Sequence, residues 1–519
     1  MNWLRGTTGT LLVAAMVTVG SSCTLLLDHS AVQCKTNDDC ATLGNHPICQ
    51  NSVCVPSRLQ PDPCTLTDPP MSIPMVETDF LNACSVNALP AGTNDPVGSC
   101  LTFSTPFDSG ATLKTPMTST IAAKPGPAPT AMCTDLVPSG KQILYITGSS
   151  NFAPLLGELS QVIVNSVSIV PVFRTTTSCT GVKSMNMNSP TYLADHFIKD
   201  PTTTTDTYAQ IYLGNSVNGT PCLLGSAGVP VDLGESEIAQ DTCGPPVNPT
   251  DMVGETPGPI LPIIFAVPKL STQKVISSAA AQQVFGGGGG VAPWEDYHYL
   301  YIRGQGTATL RLVGKEIGLL PTQFWGIDQG SAATMASNLA GLINPDEANL
   351  GLGIIGTDYY DQPENRGGLK ALGFQATGQS CAYLPDSSLT SRDKINVRDG
   401  HYPLWGRIHF FAARVGTIPV SQTATTFLNL FANPTLDTPI LNALIKAGFV
   451  PPCAMMVTRT EELGDFTYSN PPPVSCGCAF DAQVGVTPMR PECTTCNSTS
   501  DCPTSRPACT NGYCEQGST

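Results

Sequence analysis

Twenty-one cysteines in 519 residues constrain this chain more than any other feature, because thiols at that density do not persist unpaired in an oxidising compartment and are not accumulated in a reducing one. The cysteines are therefore staples first, and the fold must bring them together in pairs. Two groups of four repeat each other at the two ends. Cys34, Cys40, Cys49 and Cys54 are separated by five, eight and four residues, and Cys496, Cys502, Cys509 and Cys514 by five, six and four. An acidic residue precedes the second Cys of each group (Asp39, Asp501), and a proline stands two before the third (Pro47, Pro507). Each group predicts a disulfide knot of roughly 20 to 25 residues, too short to bury a core and held instead by bridges of roughly 2–4 kcal/mol each. Zinc is the alternative occupant of such cysteines, but the N-terminal group lacks a Cys-x-x-Cys pair. Surface knobs or spacers are the preferred reading, with no metal.

The N-terminus agrees with the cysteines about compartment. Arg5 is followed by an apolar run, Leu11 to Val19, then by Gly20, Ser21 and Ser22, and then by Cys23. A basic start, a short apolar stretch and small residues make a secretory signal over residues 1–22. The run falls well short of the roughly 20 residues that span a bilayer. The small residues directly before a Cys resemble a bacterial lipobox, which implies lipidation of Cys23 and a membrane-lipid partner through it. Gly20 departs from the Leu or Val usual at that position. The other reading is plain secretion with Cys23 lost or disulfide-bonded. Removing Cys23 leaves an even number of cysteines, as full pairing requires.

Twenty-five basic against 40 acidic residues give a net charge of −15. That argues against nucleic acid as a partner, since backbone phosphates are held by clustered Lys and Arg. A small anion remains possible, because a few local dipoles suffice for it. From Pro56 to about Pro138 the chain is rich in Pro, Thr and Ser. Residues 61–139 read as a lead-in or stalk, pinned by Cys64, Cys84, Cys100 and Cys133.

Residues 140–465 alternate strand and helix. Gln142–Thr147, Val167–Phe173, Ile260–Val267 and Tyr299–Arg303 read as strands. Pro154–Val164, Ser271–Phe285 and Thr307–Ile317 read as helices on the spacing of their apolar residues. This grammar predicts an α/β fold with a parallel or mixed sheet covered on both faces. Two strand-to-helix turns carry small residues and hydroxyls: Thr147-Gly148-Ser149-Ser150-Asn151, and Arg303-Gly304-Gln305-Gly306-Thr307-Ala308-Thr309. Unpaired N–H groups at a helix start favour an anion. Arg303 adds a planar fork suited to a tetrahedral oxyanion. Either turn alone is also an ordinary N-cap.

Together and in this order, these segments resemble the phosphate-binding periplasmic receptors of the PstS type, solute receptors of ABC transporters. The resemblance spans about Gln142 to Tyr468. It includes Ser178-Cys179-Thr180-Gly181, Ser236-Glu237 after a strand, Phe285-Gly286 with Trp294, Leu352 to Tyr360 and Val397 to Trp405. It implies a two-lobed periplasmic-binding-protein-like fold of type II, flanked by residues 23–60 and 466–519 as Cys-rich modules. One lobe is expected from about 140–265 plus 356–465 and the other from 266–355, with Ile260–Val267 and Leu352–Asp358 crossing between them. It implies ligand contacts from Ser149, Ser150, Asn151, Ser178, Ser236, Glu237, Arg303, Thr307, Ala308 and Thr309. The implied ligand is a small oxyanion, phosphate foremost, without a cofactor, for ABC-type uptake or sensing alongside an ABC permease or a surface partner. This sequence departs from the family in Glu237 for Asp, in Thr307-Ala308 for Ser-Gly, and in Cys179, which sits in a ligand loop and invites a staple to another loop.

Two rivals remain. Six scattered histidines and no Gly-x-Ser-x-Gly elbow argue against an enzyme. An interaction or adhesion protein on a stalk, reusing the receptor fold with an altered or lost site, would account for the terminal cysteine groups.

Overall fold

The structure is a computed structural model that describes residues 48–50, 53–55, 72–74, 129–185, 208–225, 228–243, 253–379, 381–415, 418–432, 436–464, 466–468 and 475–516. The signal segment, Cys23 and most of the 61–139 lead-in lie outside the described residues. Two compact units divide at Pro63. In the first, Ile48–Gln50 pairs antiparallel with Val53–Val55, placing Cys49 opposite Cys54.

The second unit is built on one long mixed sheet. From one edge its strands run Ile327–Asp328, Leu300–Ile302, Leu352–Gly356, Val253–Pro268, Trp405–Val415, Leu233–Ser236, Gln142–Ser149, Ile169–Thr176, Tyr208–Ile211 and Thr220–Leu223. The strand Val253–Pro268 organises it. Its first part pairs antiparallel with Trp405–Val415, and its last residues pair with Leu352–Gly356 and Leu369–Ala371. Sixteen residues at about 3.3 Å each are long enough to serve both halves. The run Ile260–Val267 is buried throughout, which is why it reads as continuously apolar rather than alternating.

The sheet is covered by helices Phe152–Ser166, Ser178–Met185, Ser278–Gly287, Ala308–Ile317 and Ala332–Ala340, among others. Leu155, Leu156, Leu159 and Ile163 are fully buried on one stripe of the first. One expected helix begins late. Val275–Ser277 is a strand parallel to Gly373–Gln375, and the helix opens only after Ser277, whose hydroxyl accepts from the Ala280 amide. Two consecutive β-branched residues before a Ser cap favour that division over a helix from Ser271. The segment Leu369–Ala371 also departs from expectation, because it pairs with the end of the long strand and so joins the half formed by 266–355. A short piece of the lead-in, Ser72–Pro74, pairs with Cys381–Tyr383.

Disulfides close the unit. Cys133 bonds Cys222, and Cys179 bonds Cys243. Cys453–Cys476 and Cys478–Cys493 tie the region beyond 466 to the body. There the helix Gly477–Gln483 buries Cys478, Ala479 and Phe480, and Asp481 pairs with the fully buried Arg398. The start of the expected 466–519 module is thus part of the main core. At the C-terminal end Cys496 bonds Cys509 and Cys502 bonds Cys514, and the hairpin Ala508–Thr510 with Tyr513–Glu515 sets Cys509 opposite Cys514. Asn511 and Gly512 both have positive φ in its turn, as a two-residue hairpin turn of this kind requires. Three of these sulfurs lie within 4.8 Å of one another, but as disulfides they offer no thiolate to a metal. Among the described residues no helix is long and apolar enough to cross a membrane.

Candidate functional site

The site forms where the two halves of the sheet present their strand ends. The strand Gln142–Ser149 runs into Ser150 and Asn151 and then the helix at Phe152. Asn151 does not cap that helix. Its side-chain Nδ2 instead donates to Glu237 Oε2 at 3.2 Å and to Thr309 Oγ1 at 3.0 Å. Arg303 follows the strand Leu300–Ile302, and its guanidinium donates to Ser150 Oγ at 3.1 Å. Both contacts join the half containing Asn151 to the half containing Arg303. Arg303 is 4 % exposed, and its Nε has no hydrogen-bond partner.

Two carboxyls come from one short strand. Leu233–Ser236 ends on Glu235, Ser236 and then Glu237, all fully buried. The Ser149 amide donates to Glu235 Oε2 at 2.8 Å. Gly148 is required there, since a Cβ would stand 2.3 Å from that same oxygen. Gly181, in the helix Ser178–Met185, lies so close that a Cβ would reach 1.9 Å from the Glu235 carbonyl. The Cys179–Cys243 bridge links this helix to the turn Gln240–Cys243 beyond Glu237. Ser178 opens the helix with a buried hydroxyl that has no partner.

A third carboxyl, Asp358, follows the strand Leu352–Gly356 and is 1 % exposed, close enough to Glu237 and Arg303 to feel both charges. Burial and the neighbouring Glu237 charge push Asp358 and Glu235 well above the usual carboxylate range. Burial pushes Glu237 up to about 7, against the pull of Ser149, Arg303 and Asn151. Burial likewise lowers Arg303, and the charges of Glu237, Tyr359 and Asp358 oppose that. These elements therefore gather one guanidinium and three buried carboxyls, two of them pushed well above the usual carboxylate range and the third up to about 7.

The residues expected from the sequence fall into two groups. Ser149, Ser150, Asn151, Glu237, Arg303 and Thr309 are joined by hydrogen bonds or direct charge contact, and Ser178 begins the helix packed on Glu235. The side chains of Ser236, Thr307 and Ala308 are engaged elsewhere. Ser236 Oγ donates to the Ile238 carbonyl at 2.7 Å. Thr307 Oγ1 donates to the Gly304 carbonyl at 2.8 Å and caps the helix by accepting from Leu310. Ala308 is packed in the core. Glu235 and Asp358 were not anticipated. The signal was present in each case: a carboxylate inside or directly after a buried strand seldom occurs without a role or a partner.

The raised carboxyls make stability depend on pH with a definite sign. Glu237 has a folded value of about 7 against an ordinary 4.5. Its favourable contribution is complete below about 4.5 and is lost as pH rises through 7. Glu237→Gln is expected to match the parent near pH 4.5 and to exceed it in stability at pH 8, read by urea denaturation at both values.

No protein-family model matches this chain, and no curated protein matches it. Solved structures similar to it include a candidate phosphate ABC transporter substrate-binding protein with bound phosphate from Clostridium perfringens, at 11 % identity and a TM-score of 0.39, covering 60 % of this chain and 99 % of that one. An ABC-type phosphate transport receptor from Vibrio cholerae is similar at 9 % identity and a TM-score of 0.37, over 60 % of this chain and all of that one. The OxyR2 regulatory domain from Vibrio vulnificus is similar at 12 % identity and a TM-score of 0.30, over 60 % of this chain and 97 % of that one. The chemistry of the cleft rests on its own residues.

Proposed function

We propose that the chain is an exported receptor whose cleft binds a small oxyanion, phosphate foremost, for uptake or sensing. The observation that carries this reading is Arg303, a buried guanidinium that reaches Ser150 from the opposite half of the sheet and keeps one nitrogen unpartnered. An oxyanion at that point would replace the Arg303–Ser150 bond with several charge-assisted ones, each of roughly 1.5–3 kcal/mol. The Ser178 hydroxyl and the protonated forms of Glu235 and Asp358 would supply further donors, and ionised Glu237 would accept a hydrogen bond from the protonated oxygen of a partly protonated ligand. Sulfate, which carries no proton at neutral pH, has none to give it. Calorimetry of the folded chain should therefore show saturable binding of phosphate and weaker binding of sulfate.

A surface-interaction role is the second reading. Three buried carboxyls against one guanidinium, and cysteine hairpins at both ends, favour it. It takes precedence if neither phosphate nor sulfate binds.

The lipid anchor on Cys23 belongs to the same proposal. Two or three acyl chains would hold the protein firmly, at about 0.8 kcal/mol per buried methylene. Cys23→Ser is expected to move the protein from the membrane to the soluble fraction of a bacterial host. Mass spectrometry of the N-terminal peptide of the parent should show the acyl mass, and an unmodified Cys23 in membrane-bound protein would refute the anchor.

A further inference from the structure

A polar cavity lies beside the strands Val253–Pro268 and Trp405–Val415, and its lining does not include Arg303. It has a volume of about 370 Å³ and is lined by Trp405, Arg407, His409, Glu255, Arg459 and Glu462, with Glu461 at its rim. It sits where the pairing of Trp405–Val415 with Val253–Pro268 shifts register between Arg407 and His409. Such bulges re-aim side chains.

Most of the charges here are already engaged. Arg459 stacks on the Trp405 ring at 3.5 Å, with Phe466 parallel to the same ring, and donates to the carbonyls of Pro403 and Trp405. Glu462 accepts from the Ala239 amide at 2.7 Å. His409 Nδ1 bonds Glu255. Arg407 is the exception, because no hydrogen bond or ion pair holds its guanidinium among the described residues; the charge of Glu462 lies near it, and so does the like charge of Arg459. The buried Trp405 Nε1 in the lining also lacks a hydrogen-bond partner, and His409 Nε2 has only the Glu462 carboxylate, at 3.8 Å. His409 as a whole is 9 % exposed and Trp405 2 %. Burial lowers Arg407, so its desolvation is not offset by the protein alone.

A half-buried fork with unused donors calls for a planar carboxylate, the group it meets bidentately. The same cavity carries accessible negative charge. Glu255 is 38 % exposed at its side chain, and Glu461 is exposed at the rim. A simple dicarboxylate would be repelled by them, whereas a molecule with an ammonium beside its carboxylate would satisfy both signs. The volume is at the small end of ligand pockets, which run from about 300 Å³. We propose that this cavity is a second binding site, for a small zwitterion of the α-amino acid class, with the carboxylate on Arg407 and the ammonium between Glu255 and Glu461. It does not depend on the oxyanion reading of the cleft, with which it shares no side chain.

The test titrates the full chain with the standard amino acids, and with acetate and methylamine as the separate halves, by calorimetry and ligand-observed NMR. At least one amino acid should bind saturably, and neither half should bind comparably. Arg407→Gln should weaken that binding at least tenfold, about 1.4 kcal/mol, while Arg303→Ala leaves it unchanged. Glu461→Gln, at an exposed position that the fold does not need, should also weaken it and narrow the gap between the amino acid and acetate. Absence of binding by every amino acid to about 10 mM, equivalent to less than about 3 kcal/mol, would overturn the proposal. So would binding that survives both substitutions with the parent melting curve.

Discussion

Arg303→Ala is expected to weaken phosphate binding at least a hundredfold while leaving the melting temperature nearly unchanged. Among the described residues, the guanidinium is the one permanent positive charge of the buried groups that meet between the two halves of the sheet. Two charge-assisted hydrogen bonds from it, at roughly 1.5–3 kcal/mol each, account for a loss of that size. The fold should tolerate the change, because Glu235 and Asp358 are already pushed towards their neutral forms by burial. Removing Arg303 only completes that neutralisation at Glu237. Arg303→Lys should recover part of the affinity, since it restores charge without the fork. Calorimetry with phosphate, beside a melting curve for each variant, decides the matter. An Arg303→Ala protein that binds within about threefold of the parent would remove the cleft as the site, since a shift below about 1 kcal/mol leaves no room for a bond to this group.

Lys394→Met is the second large effect, and it falls on stability. Lys394 is 2 % exposed and lies 2.7 Å from Asp361 and 2.9 Å from Asp386. Arg366 closes the cluster from the other side, at 2.6 Å from Asp361 and 3.0 Å from Asp386. Two cations and two carboxylates balance in a water-poor site. Methionine preserves most of the volume but leaves the two carboxylates to share one guanidinium, and breaking a buried arrangement by one member costs about 3–5 kcal/mol. In a unit this large, whose unfolding entropy grows with its length, that corresponds to a drop of roughly 3–5 °C. Replacing Lys394, Asp361 and Asp386 together by apolar residues should cost much less, because the penalty lies mainly in the unpaired charge. A single variant that melts with the parent would show that water reaches the cluster.

Much of the scaffold was legible. Helical spacing located the helix after Asn151, and the apolar run at Ile260–Val267 marked the strand on which both halves depend. The late start of the helix at Ser278 was less legible, because Val275 and Ile276 suit either structure and only the neighbour Gly373–Gln375 makes them a strand. In the cleft, the turns at Ser149–Asn151 and Arg303–Thr309 were visible as small and hydroxyl residues at strand ends. The same spacing could not tell that Thr307 caps its helix while Thr309 accepts from Asn151. Those roles differ by two residues, and the helix start decides between them.

The sequence by itself determined that this chain is made for a compartment where cysteines pair, that its ends repeat, and that its body alternates strand and helix. Those are properties of composition and of local period, which a chain carries before it folds. Only the tertiary structure decided that Cys179 meets Cys243, that the start of the C-terminal cysteine region belongs to the core, and that Glu235 and Asp358 join Glu237 beside Arg303. Each of these depends on residues dozens to more than a hundred positions apart, brought together by the order of strands in one sheet. The ionisation of those carboxyls depends on burial, which no residue possesses until its neighbours are in place.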